Sequence, residues 1–232
     1  MCGRMRGLGF VLALLGLAFI AGGAFTFLKS YEGYNSLNAL SEAQAVKLSY
    51  DEQGQLTDHG DAASAQSILS LLRDEWKYPV NMADLNPNDP VVNTATEFMF
   101  QMATITHHIT SGTQTVVLPE DVTTADGTVY KAGTYEFKVD GRYFSQFNRA
   151  NPIEGKARDQ AWSATGLALI SNLGVGTATA TAIQLGFGIA GLFAGLGLFA
   201  LVAGFGLVWV ARSLKEQTPS VAFQPKVTPI PA

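Results

Sequence analysis

Histidine is the side chain best suited to acid–base work or metal binding near neutral pH, and this 232-residue sequence carries three: His59, His107 and His108. His107 and His108 are neighbours on what the spacing predicts to be a helix. Their side chains then point about 100° apart, and one ion cannot take both while the helix stays regular. Glu97 and His108 share a face of that helix, but their separation in sequence puts them about 16 Å apart along its axis. His59 falls in a loop and could join the other two in space. These three histidines are the candidates for a metal or acid–base site, set against the plainer reading of polar residues near a helix end. Nothing else in the sequence implies a cofactor. Gly-x-Ser-x-Gly and the phosphate-binding glycine patterns are absent. The carboxylates show no pairing signature and read as solvated surface. Trp76-Lys77-Tyr78 and Arg142-Tyr143-Phe144 mix aromatic and cationic groups, a composition found at binding hot spots and equally at core edges or headgroup layers.

The elements that would position these residues follow from caps and periodicity. Ala45 to Tyr50 alternates like a short strand, and Asp51-Glu52-Gln53-Gly54 reads as a turn. Asp61 caps a helix to about Trp76, with Ala65, Ile68, Leu69, Leu72 and Trp76 on one face and Pro79 barring extension. Thr94-Ala95-Thr96-Glu97 has capping-box spacing and opens a helix ending near Gly112, with Phe98, Met102, Ile105 and Ile109 on one face. The period then changes to two. Thr115 to Leu118, Thr128 to Tyr130, Thr134 to Val139 and Arg142 to Phe144 are strand candidates, with Asp126-Gly127 and Asp140-Gly141 as hairpin turns. Arg142 to Phe147 could equally begin a helix. Helical spacing returns from Glu154 to Leu173, and Gly174-Val175-Gly176 is expected to break or kink it.

Two apolar runs frame all of this. Residues 185–211 contain no charged side chain and are closed by Arg212 and Lys215; as a helix they reach roughly 40 Å, more than the roughly 30 Å hydrocarbon core of a bilayer. Residues 8–28 form the second run, preceded by Arg4 and Arg6. The latter also resembles a secretory signal, with Gly22-Gly23-Ala24 as a passable cleavage site, but its length favours retention as an anchor. Between the runs, residues 29–183 hold 18 acidic and 10 basic residues, a net of −8, whereas the two ends together carry +4. Basic residues beside spans favour the cytoplasmic side. The expected topology is therefore a cytoplasmic tip and first span over residues 1–28, an extracytoplasmic domain over 29–183, a second span over 184–211 and a proline-containing cytoplasmic tail over 212–232. The fold class expected is α+β: two transmembrane helices in the cell membrane flanking an extracytoplasmic domain of several helices and a small antiparallel β-meander. The lone cysteine, Cys2, leaves that domain to a hydrophobic core without disulfides. Its acidity argues against nucleic acid as a partner.

The glycines of the apolar runs suggest helix packing. Gly191 and Gly195 make a Gly-xxx-Gly step, and Gly186/Ala190, Ala190/Ala194 and Ala200/Gly204 extend four-residue small spacing along the second run. Gly9/Ala13 and Ala18/Gly22 do the same in the first. Such spacing lets helices approach closely, so the expected partners are the bilayer and other transmembrane helices, from this chain, a second copy or a different protein. Neither run contains an ionisable residue, which argues against an ion pathway.

At Asn88-Asp89-Pro90-Val91-Val92-Asn93-Thr94, Ala132-Gly133-Thr134-Tyr135, Asp140-Gly141-Arg142-Tyr143 and Leu173-Gly174-Val175-Gly176-Thr177 the chain resembles a group of actinobacterial two-span membrane proteins. The resemblance implies a membrane location and brings no site residues. Some of that group carry an aromatic ring-opening dioxygenase label. Such chemistry wants two histidines and a carboxylate on one iron, and no constellation with convincing spacing stands in the sequence. The function expected is therefore a non-enzymatic accessory or scaffolding protein that presents an interaction domain, a candidate subunit of a larger membrane complex. The alternative is a cell-envelope enzyme or small-ligand receptor whose pocket is assembled from scattered residues.

Overall fold

The computed structural model describes residues 2–216. It is α+β, with five α-helices and small antiparallel sheets among the described residues. In chain order they are α1 (Cys2–Gln44), β1 (Ser49–Tyr50), β2 (Leu56–Thr57), α2 (Ala62–Ser70), α3 (Ala95–Ser111), β3 (Thr113–Leu118), β4 (Val122–Thr123), β5 (Val129–Tyr130), β6 (Gly133–Lys138), α4 (Pro152–Ala161) and α5 (Ala164–Glu216). Helices α1 and α5 are long and apolar enough to cross a membrane. The chain divides into two compact units, Met1–Glu32 with Gln184–Ala232, and Gly33–Ile183. Most of the proline-containing tail lies outside the described residues.

In the first unit, α1 and α5 run antiparallel and meet along a seam of small residues. A Cβ placed on Gly9 would lie 2.6 Å from the Gly204 carbonyl oxygen, one on Gly16 would lie 2.7 Å from that of Gly197, and one on Gly23 would lie 3.0 Å from that of Ala190. The approach is reciprocal: a Cβ on Gly197 or Gly204 would meet the carbonyl of Gly16 or Gly9 at 2.8 and 2.6 Å. Any side chain at these positions would drive the backbones apart. Gly9, Gly16, Gly23 and Ser30 recur every seven residues, as do Ala190, Gly197, Gly204 and Ala211, and all eight are buried. A seven-residue repeat keeps one stripe of a helix turned towards its partner.

The second unit is built around α2 and α3. The Asp61 carboxylate accepts from the Ala63 amide and starts α2. Ala65, Ile68, Leu69 and Leu72 are buried as their spacing predicted, with Trp76 packed at the edge. After Ser70 the helix widens into a π turn, Leu71–Glu75, closed by a 3.0 Å bond from the Trp76 amide to the Leu71 carbonyl. The Thr94–Glu97 capping box opens α3 with both of its reciprocal bonds. The face that α3 buries differs from the one its heptad-like apolar residues suggested. Ala95, Thr96, Phe100, Ala103 and Thr106 are buried along with Phe98, while Met102, Ile105 and Ile109 are half-buried. Small residues let neighbouring elements sit close on that side, and the Thr104, Thr106 and Thr110 hydroxyls donate back to helix carbonyls.

Instead of one meander there are three separate two-stranded antiparallel ladders. Strand β3 pairs with β6, from Thr113 opposite Lys138 to Leu118 opposite Gly133, and the β4–β5 hairpin is inserted between them. Val116 and Leu118 turn inward against Ala157 of α4. Asp140-Gly141 turns the chain, both residues having positive φ, but no strand follows; Phe144–Gln146 is a single 3-10 turn. Nor does Gly174-Val175-Gly176 break a helix. The interruption falls at Trp162–Ser163, where the Ser163 hydroxyl accepts from the Gly166 amide and restarts the chain as α5. Gly176 lies under the Phe98 ring, where a Cβ would come within 2.7 Å of Cδ1. That glycine serves packing and leaves the helix intact.

A candidate metal centre

The loop between β2 and α2 is the key local structure. Asp58 and Asp61 exchange both backbone bonds, at 3.0 and 2.9 Å. His59 and Gly60 between them have φ of +50° and +83°. This is a two-residue turn of the I′ kind, which requires positive φ at both central positions. Glycine takes that conformation freely, and histidine is one of the few other residues enriched there. The turn places the His59 ring beside the Asp58 carboxylate, with Nε2 3.8 Å from Oδ1.

His108, in the last turn of α3, arrives from the other side. Its Nε2 lies 3.0 Å from Oδ2 and 3.1 Å from Oδ1 of Asp58. The His59 and His108 rings meet edge to face, with centroids 5.1 Å apart. The carboxylate and the two imidazoles thus offer ligand atoms that all lie within 4.8 Å of one another. Asp58 forms the floor, its side chain only 6% exposed, while those of His59 and His108 are 83% and 45% exposed. The Ser64 hydroxyl donates to Asp58 Oδ2 at 2.6 Å. Burial alone would push the Asp58 carboxyl up; the bonds from Ser64 and His108, with the charge of both imidazoles, outweigh it and hold the group below the usual carboxylate range.

Of the three histidines, then, the structure brings His59 and His108 together. His107 stacks edge-on with His108 at 5.9 Å but contributes no atom to the cluster, as adjacent helical positions require. The third member of the cluster is Asp58, so that two histidines and a carboxylate do converge, which the spacing in sequence does not reveal. The only sequence signal for it is the Asp58-His59-Gly60-Asp61 turn itself, which advertises a turn and says nothing of α3. Glu97 is engaged at the opposite end of α3. Its Oε2 accepts from the amides of Asn93 and Thr94 and from the Thr94 hydroxyl; burial still leaves its carboxyl above the usual range. Nearby, the Tyr50 hydroxyl is buried without a hydrogen-bond partner among the described residues, and burial together with the charges of Glu97 and Asp89 pushes it up to about 12.

The two aromatic–cationic segments meet each other through half-buried side chains. Trp76 Nε1 donates to the Tyr143 hydroxyl at 2.8 Å, Tyr143 stacks on Trp162, and Trp162 Nε1 donates to the Arg142 carbonyl. They form a core edge.

Among the small residues expected to pack, Gly9 and Ala13 face Gly204 in the seam, a Cβ on Gly23 would meet Ala190 and Ala194, Gly22 lies against Phe193, Ala200 is buried, and Gly186 faces the Ser30 hydroxyl. Ala18 is exposed. Gly191 and Gly195 have open space where a side chain would stand. Gly16 and Gly197, at the centre of the seam, belong to seven-residue series and lie outside the four-residue small-residue steps. Comparison with known proteins finds no family model, no curated protein and no solved structure that matches this chain.

Proposed function

We propose that this chain is an integral membrane accessory protein. In this reading the α1–α5 pair sits in the cell membrane, both termini face the cytoplasm, and the domain of residues 33–183 is held outside for a partner to engage. The observation that carries the reading is the seam. Helices in lipid gain little from the hydrophobic effect and associate by close packing of small residues, and α1 and α5 are matched at backbone contact along three successive heptad positions, Gly9, Gly16 and Gly23. Lipid would cover the large side chains left exposed on both helices, among them Leu14, Phe25, Phe199, Val202 and Trp209. The basic residues at the two ends and the acidic balance between them set the orientation. On the far side of α5, Gly188, Gly191 and Gly195 meet nothing within 4 Å among the described residues, which leaves room for the helix of another membrane protein.

The test is gentle extraction of the C-terminally tagged protein, with co-purifying proteins identified by mass spectrometry. A constant set of membrane proteins is expected, and joint replacement of Gly191 and Gly195 by leucine is expected to strip it. Migration as a lone monomer with nothing retained overturns the reading.

A further inference from the structure

The Asp58–His108 contact alone would be an ordinary imidazole–carboxylate pair. Three features go beyond one. His59 brings a second imidazole to the same carboxylate from a left-handed backbone position. The carboxylate is buried while both rings reach solvent. The Ser64 hydroxyl occupies one carboxylate oxygen from behind, in the manner of the outer hydrogen bonds that orient metal ligands. Distances decide whether an ion fits. With metal–ligand bonds of about 2.0–2.1 Å, ligand atoms of a tetrahedral site stand roughly 3.3 Å apart. Asp58 and His108 are at 3.0–3.1 Å, and Asp58 and His59 at 3.8 Å. The remaining closure falls to His59, whose side chain is the most exposed of the three and the freest to turn.

We propose that Asp58, His59 and His108 bind a divalent first-row transition metal through one carboxylate oxygen and two imidazole nitrogens, with solvent filling the remaining coordination. Two nitrogens and one oxygen suit zinc and its neighbours rather than calcium or magnesium, which prefer oxygen donors. Three protein ligands and an accessible fourth position form an open site. The ion would also tie the β2–α2 turn to the end of α3, two points 50 residues apart in sequence. Because the ligands come together only in the folded chain, binding favours the folded form alone and raises its melting temperature. This proposal stands whether or not the paired helices recruit a partner.

The full-length protein, carrying a histidine-free tag and stripped with chelator in detergent, is titrated with Co²⁺ and then Zn²⁺. One equivalent of Co²⁺ per chain is expected, with the visible absorption of a low-symmetry site that Zn²⁺ abolishes. Zn²⁺ is expected to raise the melting temperature. His59→Gly, which suits the left-handed turn, and His108→Ala are each expected to weaken binding at least tenfold and to remove the thermal shift, while His107→Ala leaves both unchanged. Should His108→Ala fail to fold, His59→Gly, which alters an exposed side chain, is decisive by itself. Absence of binding to the wild-type protein, or binding that His59→Gly and Asp58→Asn leave intact, overturns the site.

Discussion

The α1–α5 pair and the domain of residues 33–183 are held by different contacts. In the first, the closest approaches are between backbones, glycine against carbonyl. In the second, Ile68, Leu72, Val116 and Val139 are fully enclosed by other side chains, and the polar groups that burial takes from water are mostly paired, as Glu97 and Asp58 are. The difference follows from the solvent each is suited to. Water drives apolar side chains together in proportion to the area removed from it, about 25 cal/mol per Å². A hydrocarbon surround supplies no such drive between helices, so fit at the shortest distance takes its place. One unit therefore depends on large side chains being present, the other on their being absent.

Opposite substitutions should break the two. Ile68→Ala empties a fully buried site in the domain and is expected to lower its stability by about 2–5 kcal/mol, read from urea unfolding of the detergent-solubilised protein followed by tryptophan fluorescence. Gly16→Val adds volume where there is none. It is expected to destabilise the helix pair by about 1–3 kcal/mol, seen as a broadened distance between spin labels placed at Phe10 and Trp209 in a Cys2→Ser background. The same change at Gly191, which faces open space, should leave that distance unaltered.

A finer test concerns Glu97, where the comparison turns on a charge. Burial raises its carboxyl above the unfolded value, so the folded state holds the proton more tightly. Stability from this group is full below the unfolded range, about pH 4, and declines as pH rises through the folded value. Glutamine keeps the capping geometry without the charge. Glu97→Gln is expected to be neutral or mildly stabilising at neutral pH and to flatten the decline above the unfolded range, measured as melting temperature against pH. A marked loss of stability at neutral pH would show that the ionised form is the one the fold prefers.

Local signals were legible. Asp61 and Thr94–Glu97 announced their helices because a cap is written within four residues, and the apolar runs announced theirs by length. Pairings across distance were not. Asp126-Gly127 and Asp140-Gly141 are both sound turn signals, yet β3 skips its sequence neighbour to pair with β6, and no two-residue motif encodes that choice. Gly174 and Gly176 read as a break because glycine costs a helix about 1 kcal/mol relative to alanine; the Phe98 ring that needs the space is far away in sequence. The candidate metal centre is hidden for the same reason, its three residues standing at positions 58, 59 and 108. The seam is written in the sequence as two seven-residue series of small residues, whereas the four-residue Gly-xxx-Gly step falls at Gly191 and Gly195, away from it.

That seven-residue series fixes more than proximity. Sliding α1 along α5 by a single turn would carry Gly16 from Gly197 towards Leu201 or Phe193, where bulk replaces hydrogen and the backbones can no longer touch. The next alignment that restores glycine to glycine lies two turns away. The pair is in effect a vernier with no setting in between, so it is unsuited to piston-like motion in which one helix slips past its neighbour by a turn. A displacement that keeps the seam closed is a tilt or rotation of both helices together.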